Sequence, residues 1–188
     1  MVNVFIIHGT EGSPEGNWFP WLKTELEKLG CKVFVPKFPT PENQSLSTWL
    51  KTFEEYKHFV DENTIFVGHR LGPAFILSVI ESLKKPVKAA FLVAGFLGLI
   101  GNEYYDSLIK SFTTRKFDWS KIRKNCRSFY TISSDNDPYV SLEKGRELAK
   151  NIGAEIIMVK NGGHLNKESG YTKFTLLLEK IKEELKTN

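Results

Sequence analysis

The sequence predicts an α/β protein, a three-layer α/β/α sandwich built on a mainly parallel sheet of about six strands. Short apolar runs and amphipathic stretches alternate along the chain, the pattern of successive strand–helix–strand units. The fourth apolar run, Val87 to Ala94, is rich in Ala, Val, Leu and Phe, as a central strand covered on both faces should be. At 188 residues with 41% hydrophobic and 26% charged residues, the chain has the size and composition of one globular domain, taking about 150 residues per domain.

In order, Val2 to His8 reads as the first strand and Gly9 to Pro14 as a loop, by its glycines and proline. Trp18, Leu22, Leu26 and Leu29 stand at helical spacing, and the pattern stops at Gly30, a residue suited to the left-handed turn after a helix. Lys32 to Pro36 is the second strand. A turn with Pro36, Pro39 and Pro41 leads to a helix from Leu46 to Phe59. Thr64 to Gly68 is the third strand, Leu71 to Leu83 a helix, and Val87 to Ala94 the fourth strand. Residues 95–118 are less regular and read as an insertion or lid within a single domain spanning 1–188. Arg127 to Ser133, Leu142 to Asn151, Glu155 to Val159 and Gly170 to Leu185 close the chain as strand, helix, strand and helix.

Several function classes fall away on composition. The longest uncharged stretch in the apolar middle, Ala89 to Asn102, is shorter than the about 20 residues a membrane span needs, and the first residues lack the basic region of a signal peptide. Cys31 and Cys126 have no CxxC spacing, so free thiols in a reducing, cytoplasmic setting are expected rather than a disulfide framework. The four histidines show no metal-ligand spacing, and no metal site is expected. The net charge of +4 is concentrated between Lys110 and Arg127, where seven basic residues face one acid, Asp118. No nucleic-acid motif accompanies it, so this stretch reads as a solvated surface and no nucleic-acid partner is expected.

In open α/β sheets the working residues sit in loops at the carboxyl ends of strands. Four such loops draw notice: His8-Gly9-Thr10, Gly68-His69-Arg70-Leu71-Gly72, Asp135-Asn136-Asp137-Pro138 and Gly162-Gly163-His164. The second has the frame of G-x-S-x-G, a sharp strand-to-helix turn that presents a strained nucleophile between glycines. An aspartate after a later strand and a histidine after the last one follow in the chain order nucleophile, acid, histidine. The central residue, however, is Arg70. Ser13, Ser133 and Ser134 lack elbow context, and both cysteines precede strands, at the opposite end of the sheet from His164. His8 reads as structuring the first loop, His69 as packed against its neighbours, and His58 as a helix-surface residue.

With these motifs, the Trp18-Phe19-Pro20-Trp21-Leu22 helix start, Pro36 to Pro41, Trp49-Leu50, Asp137-Pro138-Tyr139-Val140 and Gly163-His164-Leu165-Asn166, the chain resembles the small single-domain α/β hydrolases of the retinoblastoma-binding protein nine / YdeN-like type. The resemblance covers nearly the whole chain. It implies a serine hydrolase acting on small esters or amides without cofactors. Carried over by position, it makes Asp137 the triad acid, ahead of its rival Asp135, and His164 the general base. The family serine falls on Arg70. The Leu71 amide and that of Thr10 or Glu11 would form the oxyanion hole, while Trp18, Phe96 and Leu97 are candidates for the substrate pocket. Arginine stays protonated and cannot act as an acyl-forming nucleophile. The sequence therefore predicts a hydrolase scaffold, inactive or severely impaired as written. The alternative is a non-catalytic anion- or protein-binding relative using Arg70 and the following helix N-terminus.

Overall fold

The structure, a computed structural model, describes residues 1–187. Its strands are β1 (Asn3–Ile7), β2 (Lys32–Phe34), β3 (Ile65–His69), β4 (Val87–Val93), β5 (Cys126–Ser134) and β6 (Ile156–Val159). They form one sheet in the order β2-β1-β3-β4-β5-β6, and every neighbouring pair is parallel. The helices are α1 (Phe19–Lys28), α2 (Leu46–Phe53), α3 (Gly72–Ser82), α4 (Glu103–Thr113), α5 (Trp119–Lys124), α6 (Leu142–Ile152) and α7 (Thr175–Lys186).

The side-chain period of two sorts the strand residues into two cores. Phe5, Ile7, Phe66, Ala90 and Leu92 face α2 to α6, together with Trp49, Phe75, Phe112, Ile122 and Leu148. Val4, Ile6, Ile65, Val67, Phe91 and Val93 face α1 and α7, with Trp18, Leu22, Leu177 and Ile181. Residues Gly72 through Ile80 of α3 are buried at every position, because the helix lies between the sheet and its neighbours; an apolar helix surface all round needs such a place.

Local chemistry sets the helix ends. Ser45 and Thr48 form a reciprocal capping box at α2, and Gly30 and Gly153 follow α1 and α6 with φ of 82° and 72°. The helix expected to run from Leu46 to Phe59 tightens after Phe53 into a 3₁₀ segment, Glu54–Phe59. Within the region expected to be irregular, 95–118, α4 forms, and α5 follows it directly. Asn102 accepts from the Tyr105 amide and Asp118 from the Lys121 amide, one cap for each helix. Tyr105, Ile109 and Phe112 supply the inward stripe of α4, the last two fully buried. Of the basic stretch, Arg115 pairs with Glu81 at 2.5 Å, whereas Lys110, Lys116, Lys121, Lys124 and Arg127 are exposed.

The sheet order reverses direction between β1 and β3. That switch point leaves a crevice beyond the carboxyl ends of the two strands, the general ligand position of open α/β sheets.

Candidate active site

The turn after β3 is as tight as its glycines imply. A Cβ on Gly68 would stand 2.6 Å from Ile76 Cδ1 and 2.8 Å from the Gly72 carbonyl carbon, and one on Gly72 would stand 2.5 Å from the Ile7 carbonyl oxygen. Gly9, in the loop after β1, is needed in the same way, since a Cβ there would meet Arg70 Cβ at 2.8 Å. Between these contacts Arg70 adopts a φ of 59°, in the left-handed region that costs a non-glycine residue on the order of 1 kcal/mol or more. Its amide is tied across the sheet to the Val93 carbonyl at 3.0 Å. The strained frame of a nucleophile elbow is thus present with an arginine at its apex.

The Arg70 side chain does not pair with Asp137. Its Nη1 donates to the Thr10 carbonyl at 3.3 Å, and its guanidinium lies 4.5 Å from the Tyr105 ring centre and 6.0 Å from that of Tyr139. Among the described residues no carboxylate lies within ion-pair distance of it.

Asp137 and His164 come from the loops after β5 and β6 and meet with Nδ1 and Oδ2 2.8 Å apart, their side chains 2% and 4% exposed. The other carboxylate oxygen, Oδ1, accepts from the Tyr139 and Val140 amides at 2.8 and 3.0 Å. Asp137 is therefore fixed as an acceptor, and His164 carries its neutral-form proton on Nδ1. The opposite nitrogen, Nε2, is closed to solvent and has no hydrogen-bond partner, an uncommon state for a buried polar atom. Asp135, the rival acid, instead accepts from the Asn161 amide at 2.7 Å, while the His164 ring pairs with Asp137.

The backbone around His164 is secured from several sides. His69 Nε2 donates to the His164 carbonyl at 2.9 Å. Ser169 Oγ accepts from the His164 amide at 3.0 Å, and Trp18 Nε1 donates to the Leu165 carbonyl at 2.9 Å. Asn136 Oδ1 accepts from the Gly163 amide and Ser134 Oγ from the Gly162 amide, stapling this loop to the one bearing Asp137. Burial, aided by the neighbouring His164, pushes the His69 imidazole down to about 3, so it is the neutral Nε2–H tautomer that holds this bond. His8 is neutral for the same reason, burial lowering its pKa. Its Nε2 accepts from the Phe38 amide at 3.0 Å, leaving Nδ1–H to donate to the Gly9 carbonyl at 2.8 Å.

The two amides expected as alternatives for the first oxyanion donor differ in their hydrogen bonding. The Glu11 amide is committed to Thr40 Oγ1 at 2.7 Å, which removes it from the expected hole. The Thr10 and Leu71 amides donate to no protein acceptor among the described residues, and Leu71 is the residue preceding α3, at a helix N-terminus where amides are free to point outward.

A cleft of about 400 Å³ joins these parts, lined by Gly9 to Ser13, Arg70, Tyr105, Tyr139, His164 and residues 166–168, among others. The expected pocket residues are elsewhere. Trp18 is fully buried beneath the cleft, stacked edge-on to Phe19 and Phe174. Phe96 is in the core, and Leu97 borders a separate groove with Thr113 and Trp119. Aromatic residues at a helix start served the core, and the residues after β4 turn away under α4. Tyr105 and Tyr139, which the sequence reading missed as lining, are the aromatic walls instead. The short spacing from Asp137 to Tyr139 was the available signal for one of them. Glu11 joins the first loop to α4, accepting from Tyr104 and Tyr105 hydroxyls at 2.9 and 3.2 Å. Ser13 lines the cleft rim, while Ser133 and Ser134 are buried in the sheet layer. A second hollow, bounded by Val60 to Asn63 and Leu83 to Val87, lies at the amino ends of β3 and β4 and carries neither histidine nor hydroxyl.

Comparison with known proteins places the chain among hydrolases. A family model described as serine hydrolase matches residues 4–183. YdeN of Bacillus subtilis is 33% identical over 178 residues, covering 94% of this chain and 92% of that protein. The rat serine hydrolase RBBP9 is 27% identical over 169 residues, covering 89% and 86% respectively. The crystal structure of the B. subtilis ydeN gene product superposes with a TM-score of 0.93 at 31% identity, covering 100% of both chains. Est1E of Butyrivibrio proteoclasticus shares the fold alone, at a TM-score of 0.74 and 15% identity over 97% of this chain and 86% of that one. By a family match spanning nearly its whole length, the chain belongs to the serine hydrolase family.

Proposed function

We propose that this chain carries the site of a hydrolase of small esters or amides in which every part but the nucleophile is assembled. In the complete reaction, a serine hydroxyl at position 70 would lose its proton to His164 Nε2 as it attacked the acyl carbon. Asp137 would hold the imidazolium that results, and the Thr10 and Leu71 amides would take the negative charge developing on the carbonyl oxygen. Collapse would expel the alcohol or amine, protonated by His164, and water would then release the acid by the same route. Arg70 has no hydroxyl to contribute and no basic form within reach, so the first bond cannot form and hydrolysis is abolished or severely reduced. The observation that carries the reading is His164 Nε2: buried, unpartnered and beside an elbow of the required backbone geometry. The two buried free cysteines, Cys31 and Cys126, fit a reducing, cytoplasmic setting.

The test is hydrolysis of p-nitrophenyl acetate by the protein and by Arg70→Ser. The expected outcome is a rise on the order of 10³-fold or more in the variant and near-background turnover in the parent. Parent esterase activity that disappears in His164→Ala would overturn the reading and require a different nucleophile.

A further inference from the structure

We infer that the cleft is a binding site for a monocarboxylate with a flat apolar body, held by Arg70 and His164 where an ester's acyl group would otherwise react. The inference rests on the reading of this cleft as a hydrolase site without its serine.

Three independent features converge on an anion. Arg70 is a partly buried cation with no carboxylate partner among the described residues, and of its five N–H groups one is engaged, in a 3.3 Å bond to Thr10. His164 Nε2 lacks any partner although it is buried. It donates to an anion once the ring takes up a second proton, with Asp137 already in place to hold the imidazolium. The Thr10 and Leu71 amides supply two further donors, the second at the start of the 11-residue helix α3. Nε2 is closed to solvent in the free protein, so a ligand reaches it by displacing a neighbour. The Arg70 side chain, also in the cleft lining, is held by one long hydrogen bond and an aromatic face, so its guanidinium is free to swing from Tyr105 onto a ligand.

The chemistry of the donors selects a carboxylate over a phosphate. A planar guanidinium matches two carboxylate oxygens side by side. The cleft balances Arg70 and Lys167 against Glu11 and Glu168, which suits one negative charge and opposes two. Tyr105 and Tyr139 flank the guanidinium and offer ring faces to an aryl or short alkyl body within about 400 Å³.

Calorimetric titration with benzoate, benzamide and inorganic phosphate tests this on the full chain. Benzoate is expected to bind with a Kd of about 1 mM or tighter, and benzamide and phosphate at least tenfold more weakly. Arg70→Met, which keeps the stem and removes the charge, should weaken benzoate by about 10- to 100-fold with the circular-dichroism spectrum unchanged. His164→Gln provides a second variant that leaves Arg70 intact and should also weaken it. Equal binding of benzoate and benzamide, tighter binding of phosphate, or undiminished affinity in Arg70→Met would each overturn the inference, as would no benzoate binding by the parent. The outcome is separable from that of the hydrolase reading: if Arg70→Ser stays inert while benzoate still binds through Arg70, only the hydrolase reading fails.

Discussion

The two sides of the cleft are held in place very differently. On one side, Asp137 and His164 form a closed network: both carboxylate oxygens are used, and the histidine amide, carbonyl and ring nitrogen Nδ1 each have a partner. On the other, the Arg70 backbone is wedged among Gly9, Gly68 and Gly72, but its side chain rests on one long hydrogen bond and an aromatic face. The arrangement of acid and histidine therefore owes nothing to what occupies position 70. The elbow is strict about backbone and tolerant of side chain, so an arginine is accommodated at its apex without a hydrogen bond or ion pair to the acid or the histidine. The free nitrogen of His164 is where the two sides fail to meet.

The largest effect that would sharpen this contrast is catalytic. In Arg70→Ser, a further His164→Ala substitution should return activity to the near-background level of the parent, a loss on the order of 10³-fold or more, whereas Asp135→Asn, which alters only the rival acid, should change it little. Steady-state kinetics on the three proteins decides this.

The next effect separates backbone from side chain. Gly72→Ala places a methyl group against the Ile7 carbonyl and should destabilise the fold by about 3 kcal/mol. Arg70→Ala, in the same turn, should stay within about 1 kcal/mol. Urea denaturation of both variants measures the difference, and equal losses would break the distinction drawn here.

A third effect probes the clamp on His164. The folded pKa of His69 is about 3, below its ordinary 6.5, so the unfolded chain binds a proton first as pH falls. Its contribution is fully present above pH 6.5 and is lost on acidification, by about 2 kcal/mol at pH 5. His8, lowered by burial too, acts in the same direction. His69→Gln, whose amide still donates to the His164 carbonyl, should lose about 2 kcal/mol less than the parent between pH 7.5 and 5 in urea titrations.

The smallest effect lies at the exposed rim. Tyr104→Phe and Tyr105→Phe each remove one hydrogen bond to Glu11 and should cost under about 1 kcal/mol. Thermal denaturation would show whether α4 is pinned more firmly than these contacts imply.

What the sequence made legible was local. Strand and helix order followed from apolar spacing, and the elbow from the spacing of Gly68 and Gly72. A Cβ on Gly68 would clash with residues of the same turn and helix, whereas one on Gly72 would meet the Ile7 carbonyl, which only the fold brings near. Helix α4 was hidden by the glycines at 95, 98 and 101, although Asn102 and the spacing of Tyr105, Ile109 and Phe112 carried its signal. The roles of His69 and Trp18 were not legible, because their partners at 164 and 165 are brought to them by the fold across β3 and α1. Nor could the sequence tell that Thr40 would claim the Glu11 amide; that depends on how the turn after β2 returns to the first loop.

The central claim is that the site is complete except for one hydroxyl, and intact-mass measurement after fluorophosphonate treatment tests it most directly. The parent should take up no label, Arg70→Ser a single adduct at residue 70, and Arg70→Ser with His164→Ala none. A labelled parent, or a folded Arg70→Ser that stays unlabelled, would contradict it.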